Sequence, residues 1–233
     1  MPKAISEDIH QLIHALSKSE KRFFKLYASR IEGNGDKFVR LFDCIERQKK
    51  YDEAKILREH KAFNKKQFPN LKLHLYNQVL KSLSIVSSKA TVDIQLHYLI
   101  GQSQLLYNKC LYNQSTKILE KAKKIATQNN RSILLMDILE LEKLIMLHTI
   151  SVRTKEKVKK ITTETKRTSE NIRSIDVFSN LSLNLNAFYM NTGFIRNKED
   201  YKRAQSFFIK SLPKYKEEKL SFYEKLYLYN CYT

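Results

Sequence analysis

The chain has 233 residues, with 43 Lys and Arg against 24 Asp and Glu, a formal net charge of +19, and only four Gly, three Pro and three Cys. So few turn formers argue against a β-rich architecture. Abundant Lys, Leu, Glu, Ala and Gln, with apolar residues recurring at three- and four-residue spacing, predict an all-α protein. Cys44, Cys110 and Cys231 are odd in number and far apart, which argues against a disulfide framework or a zinc site and fits reduced, buried thiols in a cytoplasmic protein.

The first residues, Met1 to Asp8, contain no apolar signal core. Ser6 with Glu7 and Asp8 opens a first helix, whose Ile9, Leu12, Ile13 and Leu16 form one stripe. Ser17 and Glu20 have the spacing of a capping box for a second helix bearing Phe23, Phe24, Leu26 and Tyr27. That helix stops at Gly33, Asn34 and Gly35, the clearest break in the chain. A helix over about 36–48 would bury Phe38, Leu41, Phe42 and Ile45, and a turn at Tyr51 leads into a short helix with Ala54, Ile56 and Leu57. Pro69 suits the first turn of the next helix, which runs to about Ser87 through Leu71, Leu75, Val79, Leu80 and Leu83.

Helices over about 92–109 and 112–128 follow. Asn129 and Asn130 then turn into an apolar helix over 132–150. Asp137, Glu140, Glu142 and Lys143 within that stretch rule it out as a membrane span. A basic, Thr-rich helix over about 154–172 and another over 175–192, ended by Gly193, precede helices over about 199–211 and 217–232. The last of these carries Leu220, Phe222, Tyr223, Leu226, Tyr227 and Tyr229 but has no helix after it. Since a helical array normally ends on a polar face, the expectation is a longer parent chain or self-association through this aromatic helix. About twelve helices on short links suit a solenoid or an array of helical hairpins.

Three fragments share one spacing, a tyrosine three residues before a small side chain: Tyr51 and Ala54, Tyr112 and Ser115, Tyr201 and Ala204. The segment Leu96–Gln128 resembles a tetratricopeptide (TPR) repeat. Leu99 and Leu106 sit at its apolar positions, Ser103, Ser115 and Ala122 at its small ones, Leu119 between the last two, and Tyr112 at the turn; Gln102 departs from the pattern. Around Tyr51, Phe42 falls where a small residue is expected. Around Tyr201, Ala204, Phe208 and Ser211 fit, behind a longer turn over Phe194–Asn197. Leu16 to Tyr27, together with Tyr51 and Ala54, is also similar to a group of uncharacterised bacterial TPR-like proteins, which implies no activity. The resemblance implies a TPR-like right-handed α-solenoid of antiparallel hairpins. Residues 1–90 would hold one degenerate repeat and 91–233 the main repeat region. Ile100 and Gln104 do not match the clamp with which some TPR proteins grip a C-terminal carboxylate.

Such scaffolds bind other proteins and seldom do chemistry. The expected function is therefore non-enzymatic binding of a protein or peptide along a helix-lined groove, with Gln95, Gln102 and Asn108 as contacts. No phosphate loop, dinucleotide motif or nucleophile elbow is present, and no cofactor or catalytic pair is assigned. His10 and His14 share a helix face, but nothing near them in sequence completes a metal site.

The charge has two explanations. Lys outnumbers Arg about three to one, as an AT-rich genome would produce without selection. Alternatively, the chain binds nucleic acid through residues 153–173, where Lys155, Lys159, Lys166 and Arg173 share a face with Lys160 and Arg167 nearby and Arg153 precedes them. Lys121, Lys123 and Lys124 add a second basic patch.

Overall fold

The computed structural model describes residues 2–31, 33, 35–60, 63–87, 91–149, 155–193, 198–212, 215, 218 and 220–231. The described residues form eleven helices and no strand, and none of these helices is long and apolar enough to cross a membrane. The chain divides into two compact units, residues 1–95 and 96–233. The turn over Phe194–Asn197 and the side chains of Ser6 and Arg153 lie outside what is described.

The first unit contains α1 (Pro2–Ala15), α2 (Lys18–Ala28), α3 (Gly35–Glu46), α4 (Glu53–Glu59) and α5 (Phe68–Ser87). Its core gathers Ile9 and Ile13 from α1, Phe24 from α2, Leu41, Phe42 and Ile45 from α3, and Leu75 and Val79 from α5. The rings of Phe24 and Phe42 stack at 4.7 Å, so the side chain at the expected small-residue position is a central core group instead. The predicted capping box forms: Ser17 N–H donates to Glu20 Oε2 at 2.8 Å, and Glu20 N–H donates to Ser17 Oγ at 3.3 Å.

The Gly33 break is real, with φ at +80°, a conformation that favours glycine. Gly35 is needed for a different reason. It is buried at the start of α3, where a Cβ would stand 2.4 Å from the carbonyl oxygen of Ala28.

The second unit contains most of α6 (Val92–Asn108), then α7 (Tyr112–Gln128), α8 (Ser132–His148), α9 (Lys155–Thr192), α10 (Lys198–Ser211) and α11 (Phe222–Asn230). α6 and α7 end alike. Cys110 and Asn130 adopt φ of 59° and 55°. Leu111 N–H then reaches back to Leu106 O at 2.9 Å and Arg131 N–H to Ala126 O at 2.9 Å, the bonds of a Schellman turn. Each turn reverses the chain, so α6, α7 and α8 run antiparallel in succession.

Where α6 meets α7, Ser103 and Ser115 are both fully buried. Ser103 Oγ lies 2.7 Å from Ser115 Oγ and 3.1 Å from Ser115 O, and Ser115 Oγ donates to Ser103 O at 2.9 Å. A hydroxyl reaches the opposite backbone only if the two helices approach closely, which the small side chains permit. The other two tyrosine fragments make no such contact: Ala54 is exposed, and α10, which carries Tyr201 and Ala204, has no buried residue.

The predicted pair of helices over 154–172 and 175–192 is one helix. α9 runs 38 residues, about 57 Å at 1.5 Å per residue. No Gly or Pro interrupts it, and Ser174, at the expected break, turns its hydroxyl to Glu224 of α11 instead of capping a new helix. α11 packs on α9 through buried Glu224 and Leu228, while Phe222, Leu226 and Tyr229 stay exposed.

Candidate docking surface and basic ridge

The distribution of charge over the second unit is uneven. Among the described residues, α7 and residues 155–173 of α9 present twenty-one exposed positions, and ten of them are Lys or Arg. Residues 96–108 of α6 and the whole of α8 present twelve, and none is Lys or Arg. Five of the twelve are large and apolar: Tyr98 and Leu105 on α6, and Ile133, Leu144 and Leu147 on α8, each at least 43% exposed. Residues 174–191 of α9 likewise present no exposed Lys or Arg, so the cations of this unit concentrate in particular stretches rather than scattering evenly.

The apolar positions fall into stripes. On α6, Tyr98 and Leu105 are seven residues apart and therefore stand on one face. On α8, Ile133, Asp137, Glu140, Leu144 and Leu147 follow three- and four-residue steps along one face, opposite buried Ile138, Leu139 and Leu141. The C-terminal ends of α6 and α8 come together at an aromatic cluster: Tyr112 stacks on His148 at 5.6 Å and 4°, and Tyr107 lies 5.8 Å from His148. The two striped helices thus run in the same direction and end at the same place. Tyr112 closes the turn, as its position predicts. Its phenol is held above the ordinary value, first by a hydrogen bond with the Cys110 thiol and then by burial.

Of the three expected contacts, Gln95 and Gln102 are half-buried and share one face of α6. Asn108 is six residues beyond Gln102, about 120° around the helix, and accepts a hydrogen bond from Gln104 Nε2 at 3.0 Å. The structure therefore does not bring Asn108 together with the two glutamines. Gln95 falls within the first unit and Gln102 within the second.

On α9, Lys155, Lys159, Lys160, Lys166, Arg167 and Arg173 are all exposed, and none forms an ion pair among the described residues. The helix is continuous, so Lys155, Lys159, Lys166 and Arg173 form a straight ridge about 27 Å long, with Lys160 and Arg167 on a second line about 120° away. Lys123 behaves differently. It reaches Glu142 of α8 and Glu164 of α9, each at 2.8 Å, and ties three helices together. Burial opposes its charge, but the two carboxylates outweigh burial and hold the ammonium above its ordinary value. Burial pushes Glu142 up against the pull of Lys123. Lys123 is thus a neutralised internal cation rather than part of a basic patch.

His10 and His14 both direct Nε2 at the carbonyl oxygen of Gln48, at 2.9 and 3.0 Å. They satisfy an orphan carbonyl just beyond α3, and no group of three or more potential metal ligands occurs among the described residues. Of the cysteines, Cys44 and Cys231 are half-buried and Cys110 is exposed, contrary to the expectation of buried thiols; all three are free.

A cleft of about 1140 Å³ in the first unit is bordered by Lys72, which is 2% exposed. Its ammonium meets Glu53 Oε2 at 2.5 Å and faces the rings of Tyr51 and Phe68 at 5.6 and 5.3 Å. Nothing in the apolar pattern of α5 singles out this lysine as buried. Compared with protein-family models, with curated proteins and with solved structures, the chain matches none.

Proposed function

We propose that the chain is a non-enzymatic helical scaffold whose second unit docks a protein or peptide on the surface of α6 and α8. The supporting observation is the absence of Lys and Arg from all twelve exposed positions there, in a chain of net charge +19, together with five exposed large apolar side chains. Exposed apolar residues grouped on one face mark interaction sites, whereas scattered ones need no explanation. The antiparallel succession of α6, α7 and α8, with Ser103 against Ser115, supports the wider assignment of this region to a TPR-like right-handed α-solenoid, whose concave face would carry the partner. To test this, partners captured by the parent chain are compared, by quantitative mass spectrometry, with those captured by a variant carrying Tyr98→Lys, Leu105→Lys and Leu144→Lys. Loss of specific proteins from the variant, with its helicity and Tm preserved, supports docking here. An unchanged set of captured proteins overturns it.

The α9 ridge favours a second function, binding of nucleic acid. Six exposed cations with no carboxylate partner among the described residues are available to phosphates, and affinity should then fall steeply with salt. Reversal of Lys159, Lys160, Lys166 and Arg167 to Glu should abolish binding to mixed RNA and duplex DNA. Weak binding insensitive to those four positions would leave the ridge as a solvated helix face.

A further inference from the structure

We infer that the α8 face takes a basic amphipathic helix, with apolar residues on its outer turns and Lys or Arg between them. This rests on the proposal that the α6 and α8 surface docks a protein, and it specifies what that partner must carry. The apolar side chains of the stripe are not contiguous. Ile133 stands at one end and Leu144 and Leu147 at the other, with Asp137 and Glu140 exposed between them. From Ile133 to Leu147 the stripe spans about 21 Å, four helical turns. A straight segment that covers both apolar ends therefore also covers the two carboxylates.

Taking a carboxylate out of water without a partner is costly, and juxtaposing it with another carboxylate is worse. Glu140 already holds Lys143 at 2.6 Å, while Asp137 makes no ion pair among the described residues. An apolar partner would leave Asp137 desolvated and alone. An acidic partner would add repulsion at the same place. A cation on the middle turns of the partner removes both penalties, so the stripe selects for Lys or Arg there. The global +19 opposes a cationic partner at long range, but at about 0.15 M salt charges are screened over about 8 Å. The contacts at Asp137 and Glu140 act within that distance.

The test uses the full chain and two synthetic helical peptides. Both carry leucines on the outer turns; one has lysines and the other glutamates on the turns between. Binding is read by fluorescence anisotropy at physiological salt, with the parent chain, Leu144→Lys and Asp137→Lys. All substituted positions are exposed, and unchanged far-UV circular dichroism confirms the fold of each variant. The expected result is that the lysine peptide binds the parent about tenfold or more tighter than the glutamate peptide, that Leu144→Lys weakens it by a similar factor, and that Asp137→Lys reverses the preference. If Leu144→Lys weakens binding but Asp137→Lys leaves the ranking unchanged, the charge inference fails while apolar docking survives. If neither variant alters either peptide, or the parent binds neither, docking on α8 fails along with it.

Discussion

The contact between Ser103 and Ser115 makes a quantitative prediction for Ser115→Leu. Both side chains are fully buried, and each hydroxyl has one proton, which it donates to the carbonyl across the interface or to the facing hydroxyl. Leucine would insert two additional heavy atoms where the two backbones are close enough for a serine to bridge them. Overpacking of this kind costs about 1–3 kcal/mol, and stripping Ser103 O of its donor adds about 1 kcal/mol. The expected total is therefore about 2–4 kcal/mol, read as a lowered urea midpoint by circular dichroism. Ser103→Ala and Ser115→Ala should each cost about 1 kcal/mol. The double alanine variant should cost less than the sum, because it removes donor and acceptor hydroxyls together. If Ser115→Leu unfolds within about 0.5 kcal/mol of the parent, the two helices do not approach at this point, and the hairpin assignment falls with that contact.

Three other perturbations bear on the packing. Gly35→Ala places a methyl group 2.4 Å from the Ala28 carbonyl oxygen and should lower stability by about 1–3 kcal/mol, measured by urea denaturation; a neutral result would mean that α3 enters along a different path. Cys110→Gly relieves a left-handed non-glycine residue at φ 59° and should raise stability by about 0.5–1 kcal/mol after the entropy of the new glycine is counted. A thermal melt showing a lower Tm would count against that turn. Lys123→Met leaves Glu142 and Glu164 facing each other without their cation and should cost about 1–3 kcal/mol at neutral pH. Glu142, which burial already holds above its ordinary value, would then lose the pull of Lys123 and be held higher still in the folded chain. A raised acid destabilises the fold where it is ionised and ceases to do so once protonated, so the deficit relative to the parent should shrink as pH falls through the carboxylate range. A deficit that grows with acid would refute the ion-pair account.

Local signals in the sequence were reliable where the chemistry itself is local. The capping box at Ser17 and Glu20, the break at Gly33, and the limits of α6, α7 and α8 depend on residues a few positions apart. The division of α9 was misplaced because a polar stretch around Ser174 looks like a break when its distant partner, Glu224, is unknown. The tyrosine and small-residue pairs show the same limit. A small side chain permits close approach but does not compel it, and Ala54 and Ala204 have the required size without the opposing helix that makes Ser115 buried. Lys72, Lys123 and the two histidines at Gln48 were out of reach for a related reason: each is fixed by groups 19 to 41 residues away.

Charge illustrates how a composition can be resolved by structure. A net +19 taken alone cannot distinguish a lysine-rich background from a selected surface. Once exposed positions are assigned to helices, the two explanations predict different patterns. A background fills every solvated face, so α6 and α8 should carry cations at about the frequency of α7 and the first half of α9. They carry none at twelve exposed positions, against ten of twenty-one on α7 and residues 155–173 of α9. Solubility does not explain that deficit, since exposed Leu105, Ile133 and Leu147 work against it. The docking proposal accounts for it, because a lysine buried beneath a partner would need a counter-charge. The cation-free face of α6 and α8 thus departs from the average composition of this basic protein, and it is the part to perturb first.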